Sequence, residues 1–340
     1  MVPSDRPGPT RKKAPAPWDL KSLFLQKVKA AGGFVNCHAH FDKSYLISEE
    51  TLQQSHAPME AKWDLYRQFK AQYTRKGLIQ RITRAVEAMI SQDIKHCRTH
   101  IDVDATVKLL PMEAALEVKA QYADRITLQL VAHPLHGLHD AEDRRWFEKG
   151  CQLADVIGGL PSRDRPYAGE HLDVLFSLAK KQEKPLDVHI DQENNPDERD
   201  TALLASRTIA HRYEGMVSAI HAVSLAAQSP ADQETIFALM RKARMSVTVC
   251  PGAALSMRPL SKVSLMHNSI APVPQLLFAG INVSLGCDNI HDIFMPFSDG
   301  DMWVEARMLM EACRFYLLDE VVKICTANGR KTLLSWMLPR

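Results

Sequence analysis

Short apolar runs of strand length recur along the chain, and several of them are nearly continuous in apolar residues. Such runs are typical of parallel strands that are covered on both faces. Between them lie segments whose apolar residues repeat about every 3.6 residues, as on one face of a helix. The eight predicted strands are Gly33–His38, Ile94–Val103, Ile126–Pro134, Asp155–Leu160, Leu186–Ile190, Val217–Leu225, Ser246–Cys250 and Asn282–Gly286.

This alternation of strands and helices predicts an α/β protein with a (β/α)8 TIM-type barrel. An open, doubly wound parallel sheet is the alternative. The early strands are not followed by the glycine-rich loops that bind nucleotides, which weakens the case for nucleotide binding. Residues 1–30, which begin with a proline-rich basic stretch, are predicted to form a flexible tail, and residues 31–340 to form the barrel domain.

The composition narrows the class of protein only slightly. Of the 340 residues, 46% are hydrophobic and 24% are charged, as in ordinary globular proteins. The seven cysteines are scattered without a C-x-x-C pair, which predicts reduced thiols and a cytoplasmic location. The net charge is +2 without a Lys/Arg block, which argues against a nucleic acid partner. No apolar run reaches the roughly 18 residues of a membrane helix, so no membrane partner is expected.

Metal-type ligands stand at the predicted C-terminal ends of four strands, where barrel enzymes carry their active sites. Strand one ends in His38-Ala39-His40, and alternation along a strand points both imidazoles the same way. Strand five carries His189, strand six carries His221, and Asp288 follows strand eight. Each residue alone fits a structural role, and Asp288 could cap a helix. Because all of them meet at one rim, the sequence predicts a metal site there.

The ligand set predicts hydrolysis at a carbon bonded to nitrogen or oxygen. Imidazoles and one carboxylate leave a divalent metal with net positive charge and room for water, whose pKa then falls towards ~7. A nearby carboxylate or imidazole can accept the proton and pass it to a leaving nitrogen. His100 and Asp102 on strand two, and His133 and His136 after strand three, are further candidates that line or support the pocket.

The segments around these residues resemble the amidohydrolase superfamily, most closely its branch of cytosine deaminases and N-isopropylammelide isopropylaminohydrolases. The resemblance runs from about Gly33 to Leu334. It rests on the segments CHAHFDKS, RTHIDVD, LQLVAHP, DVHIDQ and DNIHDIFMPFSDGDM. Members of this branch act on nitrogen heterocycles and release ammonia or an amine. The resemblance therefore implies a small heterocyclic substrate, and such barrel enzymes are often homo-oligomers.

The resemblance also implies roles for individual residues. His38, His40, His189 and Asp288 would bind one divalent metal ion, Zn²⁺ or Fe²⁺. His221 would polarise the water or the substrate, and Asp288 would also accept a proton. The other implied positions shape the substrate pocket after strand eight; they are Asn289 and Phe294.

The sequence departs from this branch at three places. Gln192 occupies the position of the glutamate that carries a proton in cytosine deaminases, which an amide cannot do in that way. The neighbouring Glu193 points elsewhere if strand alternation continues, unless the chain bends. Leu135, with His136 beside it, stands where the branch often has a glutamine that reads a ring amide, and both are candidate substrate contacts. The sequence flanking the barrel is short, so the accessory β-sandwich of many relatives is expected to be reduced or absent.

Three functions remain open at this point. The first is a metal-dependent hydrolase of C–N bonds in a small nitrogen heterocycle, with a cytosine deaminase-like aminohydrolase as its leading form. The second is a hydrolase of a cyclic amide or another C–N or C–O bond that does not rely on the glutamate, given Gln192. The third is a binding protein that has lost catalysis. The polar segment Ser44–Gln68 is predicted to be a lid over the site, with an oligomer contact as the alternative.

Overall fold

Eight parallel strands form one sheet, in which each strand is hydrogen-bonded to the next along the chain. The structure is a computed structural model that describes residues 19–257 and 270–334. Each observed strand lies within the range predicted for it, which confirms the (β/α)8 barrel. The strands are β1 (Val35–Asn36), β2 (His96–Asp102), β3 (Thr127–His133), β4 (Val156–Gly159), β5 (Leu186–Ile190), β6 (Val217–His221), β7 (Ser246–Val249) and β8 (Asn282–Leu285).

Helices surround this sheet and fill the connections between strands. None of those in the described ranges has the length and apolar character that crossing a membrane requires. They are α1 (Leu20–Ala30), α2 (Met59–Ala71), α3 (Arg75–Ser91), α4 (Leu110–Gln121), α5 (Ala141–Leu153), α6 (Ala168–Gln182), α7 (Asp200–Ala210), α8 (Pro230–Lys242), α9 (Pro251–Ser256), α10 (Val273–Phe278), α11 (Met302–Cys313), α12 (Leu318–Cys325) and α13 (Ala327–Leu334). Short 3₁₀ turns span Leu52–His56, Pro161–Asp164 and Val223–Ala227.

Burial explains why the strands read as continuous apolar runs. Every residue of β5 and β6 is buried, because one face of each strand points into the barrel and the other lies under helices. The helices contribute the matching apolar stripes. Leu78, Ile82 and Met89 of α3, for example, are fully buried in the main core. Each such side chain contributes about 1.5–3 kcal/mol through its removal from water.

Contacts between β8 and β1 close the sheet into a barrel. The amide of Cys37 donates to the carbonyl of Leu285 at 2.9 Å, and the amide of Asp288 donates to the carbonyl of His38 at 3.0 Å. Ala39 and Asp288 form a parallel bridge just beyond them. The closure therefore brings the two ends of the barrel sequence, and the metal-type ligands they carry, side by side.

The first helix differs from the predicted tail over residues 1–30. Residues 1–18 lie outside the described ranges, but Leu20–Ala30 is helical. The carboxylate of Asp19 caps this helix by accepting from the amide of Ser22 at 3.2 Å. Phe24 is fully buried, with its ring 5.5 Å from the ring of Trp303 on α11. α1 thus packs onto the barrel.

The packing of α1 predicts a clear loss of stability on truncating its central side chain. Phe24→Ala should lower the free energy of unfolding by about 3–5 kcal/mol, because it leaves a cavity against α11. Leu20→Ala on the same helix is the control, since Leu20 is 56% exposed. Its effect should stay within about 0.5 kcal/mol. Urea unfolding measures both, and equal effects would contradict the packing described here.

Candidate metal centre and substrate cavity

The five predicted ligand-type side chains meet at the C-terminal ends of their strands. The Nε2 atoms of His38 and His40 lie 3.5 and 3.4 Å from Oδ1 of Asp288. The other carboxylate oxygen, Oδ2, lies 3.7 Å from Nε2 of His221. Nε2 of His189 lies 3.3 Å from Nε2 of His40. β1, β5, β6 and the residues after β8 therefore deliver one compact group of donor atoms.

Unpaired buried ring nitrogens show that this group fits a metal ion. Among the described residues, neither ring nitrogen of His38 makes a hydrogen bond, and Nδ1 of His40 and of His189 also lacks one. A buried polar atom without a partner costs about 1–3 kcal/mol. The ligand atoms of His38, His221 and Asp288 lie within 4.8 Å of one another. A divalent cation held by several of these atoms would satisfy both the buried imidazoles and the carboxylate.

Electrostatics keeps the side chains in the protonation states that bind metals. Burial, followed by the charge of Lys43, holds the pKa of His40 well below its ordinary value. Burial also lowers the pKa of His189, and lowers that of His221 to about 4. Burial would raise the pKa of Asp288, but the neighbouring imidazole of His38, whose Nε2 lies 3.5 Å from Oδ1, outweighs this and lowers it. His40, His189 and His221 are thus neutral and Asp288 is ionised at neutral pH.

A buried polar layer lies next to the ligands. Nε2 of His100 is 2.9 Å from Oδ2 of Asp187, so it carries the hydrogen of that imidazole. Its Nδ1 lies 3.4 Å from Nδ1 of His133 and is therefore the acceptor. This leaves Nε2 of His133 without a hydrogen. Since His133 lines the cavity, it offers an acceptor beside the ligands.

Sequence reasoning missed two members of this layer, Arg98 and Asp187. Nη1 of Arg98 lies 3.0 Å from Oδ1 of Asp187, and both side chains are almost completely buried. Each stands two residues before a site histidine on its strand, at His100 and His189 respectively. The sequence did carry a signal for both residues. A charged side chain two residues before a site histidine in an apolar strand points to the same face as that histidine.

A cavity of about 960 Å³ opens above these groups. The predicted substrate residues Asn289, Phe294 and Leu135 line it, and so does Gln192. Its wall is largely apolar where Leu135 packs with residues of neighbouring loops and of α2. The main apolar members of that wall are Met59, Trp63, Leu135, Leu160, Phe294 and Met295. A flat ring with an apolar face suits such a wall.

His136, predicted as a substrate contact, does not line the cavity of the described residues, whereas its neighbour Leu135 does. Its Nε2 instead lies 3.7 Å from Oδ2 of Asp104. Leu135 therefore reaches the cavity, and His136 lies beside Asp104.

Glu193 faces the cavity because the chain bends immediately after β5. Asp191 adopts a left-handed conformation with φ 46°. Its carboxylate accepts from the amides of Asp200 at 2.9 Å and Thr201 at 3.1 Å, which fixes the bend. Strand alternation therefore stops, and Gln192 and Glu193 both line the cavity. Burial raises the pKa of Glu193, whose Oε1 lies 3.3 Å from Nη1 of Arg165.

The segment predicted as a lid covers the cavity. The turn Leu52–His56 and the first half of α2 supply much of one wall, including His56, Met59 and Trp63. The second half of α2 is anchored below by two buried side chains, Tyr66 and Lys70. The covering segment is thus fixed to the barrel through α2.

Lys43 is buried and paired rather than solvated. Its Nζ contacts Oδ1 of Asp102, whose other oxygen lies 3.0 Å from Nζ of Lys70. Burial alone would lower the pKa of Lys43, but the charge of Asp102 outweighs it and raises the pKa. Because Lys43 also lines the cavity, a fixed positive charge stands beside the metal-type ligands.

The close approach of β8 to β1 predicts that Gly286 is essential to the metal centre. A Cβ at this position would lie 2.6 Å from Cβ of His38. Gly286→Ala should displace His38 and weaken Zn²⁺ binding by about 10–100-fold, as measured by competition with a chelator. In the control, Gly169→Ala, the new methyl group meets only the tip of Arg207, at 3.2 Å. Unchanged Zn²⁺ affinity in Gly286→Ala would contradict the proposed site.

Comparisons with known proteins identify the family. The pattern of the Amidohydrolase family matches residues 31–333. The N-isopropylammelide isopropyl amidohydrolase of Pseudomonas sp. (strain ADP) is 30% identical over 313 residues, which are 88% of this chain and 74% of that protein. The pterin deaminase of Rhizobium rhizogenes (strain K84 / ATCC BAA-868) is 24% identical over 315 residues, which are 89% of this chain and 69% of that protein.

A solved structure shows the same fold. The 5-methylcytosine deaminase from Klebsiella pneumoniae liganded with phosphonocytosine superimposes with a TM-score of 0.82 at 24% identity, covering 89% of this chain and 75% of that one. These matches confirm the resemblance and the branch that the motifs indicated. The chain therefore belongs to the amidohydrolase family and is a hydrolase that acts on carbon–nitrogen bonds.

Proposed function

We propose that this protein hydrolyses an exocyclic C–N bond of a small nitrogen heterocycle and releases ammonia or an amine. The observation that carries the proposal is the convergence of four imidazoles and the Asp288 carboxylate at the base of a cavity of about 960 Å³. The printed activities of the relatives, an isopropyl amidohydrolase and a pterin deaminase, support a heterocyclic substrate.

His38, His40, His189 and Asp288 would hold one divalent metal ion, Zn²⁺ or Fe²⁺. When bound, such an ion lowers the pKa of a coordinated water towards ~7. The donor set of imidazoles and a carboxylate suits either metal. Nε2 of His38, which is buried without a hydrogen bond and lies 3.5 Å from Oδ1 of Asp288, supports this assignment.

The two remaining tasks are to move a proton and to polarise the substrate. Asp288 is ionised, and its Oδ2 faces His221 at 3.7 Å. We assign Asp288 as the group that takes a proton from the attacking water and His221 as the group that orients the water or the substrate. The proton must then reach the leaving nitrogen, and Gln192 cannot carry it as an acid.

Substrate recognition would combine stacking with a few polar contacts. Phe294 and Trp63 offer aromatic surface to a flat ring, and Leu135 offers an apolar contact where the branch has a glutamine. Asn289 and the charged Lys43 supply polar contacts for a ring amide or a ring oxygen. A ring that carries an oxo group next to a ring N–H would satisfy both side chains.

Metal analysis together with amine release tests the proposal. Protein loaded with Zn²⁺ or Fe²⁺ should hold about one ion per chain. It should release ammonia or isopropylamine from at least one of N-isopropylammelide, 5-methylcytosine and pterin. His189→Ala should lose both the metal and the activity.

The control for this test is His96→Ala, because His96 lies at the start of β2, at the opposite end of the barrel from the ligands. It should keep both properties. Metal-loaded protein that releases no amine from any of these rings would rule out the proposed reaction.

A second candidate, hydrolysis of a cyclic amide, is favoured by the amide at Gln192. Gln192→Glu distinguishes the two reactions, because it supplies the carboxylate that cytosine deaminases have at this position. For exocyclic hydrolysis we expect ammonia release to rise by about tenfold or more, since a placed general acid contributes about 100-fold or more. Gln192→Met, similar in size and without an acid, is the control. Ring opening of a cyclic amide that Gln192→Glu preserves, without a rise in ammonia release, would favour the cyclic amide instead.

Loss of catalysis is the least supported of the three functions. A decayed site would be expected to have lost some of its ligands. Here all five ligand-type side chains are present and close together.

A further inference from the structure

We propose that α2 is a positioning element for substrate recognition, in which Tyr66 orients Asn289 and Lys70 orients Lys43. Each link passes through one buried aspartate that binds the α2 side chain and the cavity side chain at the same time. The inference rests on the proposed function, because it assumes that Asn289 and Lys43 contact the substrate. It goes beyond that function by assigning a role to two residues that do not touch the substrate.

The first link runs through Asp292. The hydroxyl of Tyr66 donates to Oδ2 of Asp292 at 2.6 Å, and Nδ2 of Asn289 donates to the same oxygen at 2.5 Å. Oδ1 of Asp292 accepts from the amides of Phe294 at 2.9 Å and Met295 at 3.0 Å. Four donors therefore fix one carboxylate, and this carboxylate in turn fixes the loop after β8.

This link determines how Asn289 meets a ligand. Because one hydrogen of Nδ2 is donated to Asp292, the orientation of the amide is fixed, and its carbonyl Oδ1 is free to accept from a ring N–H. The ring of Tyr66 also stacks on that of Phe294, with centroids 5.2 Å apart and planes 13° apart. The same tyrosine thus supports one polar and one aromatic wall of the cavity.

The second link runs through Asp102. One of its oxygens contacts Nζ of Lys43, and the other lies 3.0 Å from Nζ of Lys70. Lys70 also contacts Asp104, so two lysines and two aspartates form a balanced buried cluster. Because Lys70 of α2 fixes the position of Asp102, Asp102 in turn fixes the orientation of the Lys43 side chain. The ammonium group of Lys43 still has hydrogens that it can donate to a ligand in the cavity.

The two links originate from one face of one helix. Tyr66 and Lys70 stand four residues apart on α2, which places them one above the other. Both side chains are buried, at 0% and 2% exposure. On the neighbouring face, Arg67 pairs with Asp143 of α5 at 3.1 Å. α2 is therefore fixed on the barrel while it holds one side chain from each side of the β1–β8 junction.

A merely structural role for Tyr66 and Lys70 predicts a different behaviour. If the contacts only fasten α2, their loss lowers stability and leaves the KM of folded, metal-loaded enzyme unchanged. If they position the cavity side chains, KM rises while metal content stays at the wild-type level. Separate measurements of KM and kcat, together with double-mutant cycles, distinguish the structural role from the positioning role.

Tyr66→Phe removes only the hydroxyl and is the principal test. With whichever of N-isopropylammelide, 5-methylcytosine and pterin is turned over, KM should rise about tenfold, the effect of about 1.4 kcal/mol. The metal content should not change. The double variant Tyr66→Phe with Asn289→Ala should be no worse than Asn289→Ala alone, because the hydroxyl acts through that amide. Additive effects, or an unchanged KM, would overturn the proposal.

The matched control is Tyr122→Phe. The hydroxyl of Tyr122 also donates to a carboxylate, that of Glu87 at 2.8 Å, but the pair lies between α4 and α3, away from the cavity. It should leave KM at the wild-type value. Lys70→Met is tested in the same way against Lys43→Met, with the Tyr66 cycle deciding the proposal if Lys70→Met does not fold.

Hydrogen exchange supplies a readout that does not need activity. The amides of Phe294 and Met295 donate to Asp292, so Tyr66→Phe should accelerate their exchange while the exchange of β5 stays the same. Accelerated exchange without turnover of any of the three rings would overturn the proposed function and leave the positioning role intact. Unchanged exchange at both amides would overturn the positioning role itself.

Discussion

The hydrogen bond from the amide of Asp288 to the carbonyl of His38 joins the first and last strands, and the site depends on it. Two of the metal-type histidines and the carboxylate come from opposite ends of the barrel sequence, so they meet only because the sheet closes. The closure also requires two backbones to approach so closely that Gly286 cannot carry a side chain without a shift. The remaining ligands arrive on β5 and β6, whose register in the closed sheet is already fixed.

Closing the barrel also buries an unusual amount of charge. Asp187 is compensated by Arg98 and also accepts a hydrogen bond from His100, and Asp102 is compensated by Lys43 and Lys70. Removing charges from water is expensive, and it is tolerated where each ion has close partners of opposite sign. The gain is rigidity, since a paired and buried side chain has few alternative directions. Neutral imidazoles, ionised carboxylates and charged lysines can therefore stand side by side in one site.

Much of this arrangement could be predicted from the sequence. Continuous apolar runs revealed the strands because parallel strands are covered on both faces. The positions of His38, His40 and His189 at the ends of those strands then placed them at one rim. Features that depend on single backbone angles or on contacts between distant residues could not be predicted from the sequence. The left-handed φ of Asp191 turns Glu193 to the cavity, and the hydrophobic pattern around Asp191 does not predict such a bend. α1 was missed because only two of its residues, Phe24 and Val28, are buried.

The location of α2 has a consequence for how enzymes of this kind diversify. α2 lies in the connection between β1 and α3, outside the repeated strand–helix units that build the barrel and carry the metal-type ligands. Substitutions on this helix can redirect the cavity side chains while the catalytic centre remains intact. For a protein engineer, the same segment is the place to alter selectivity without sacrificing the metal.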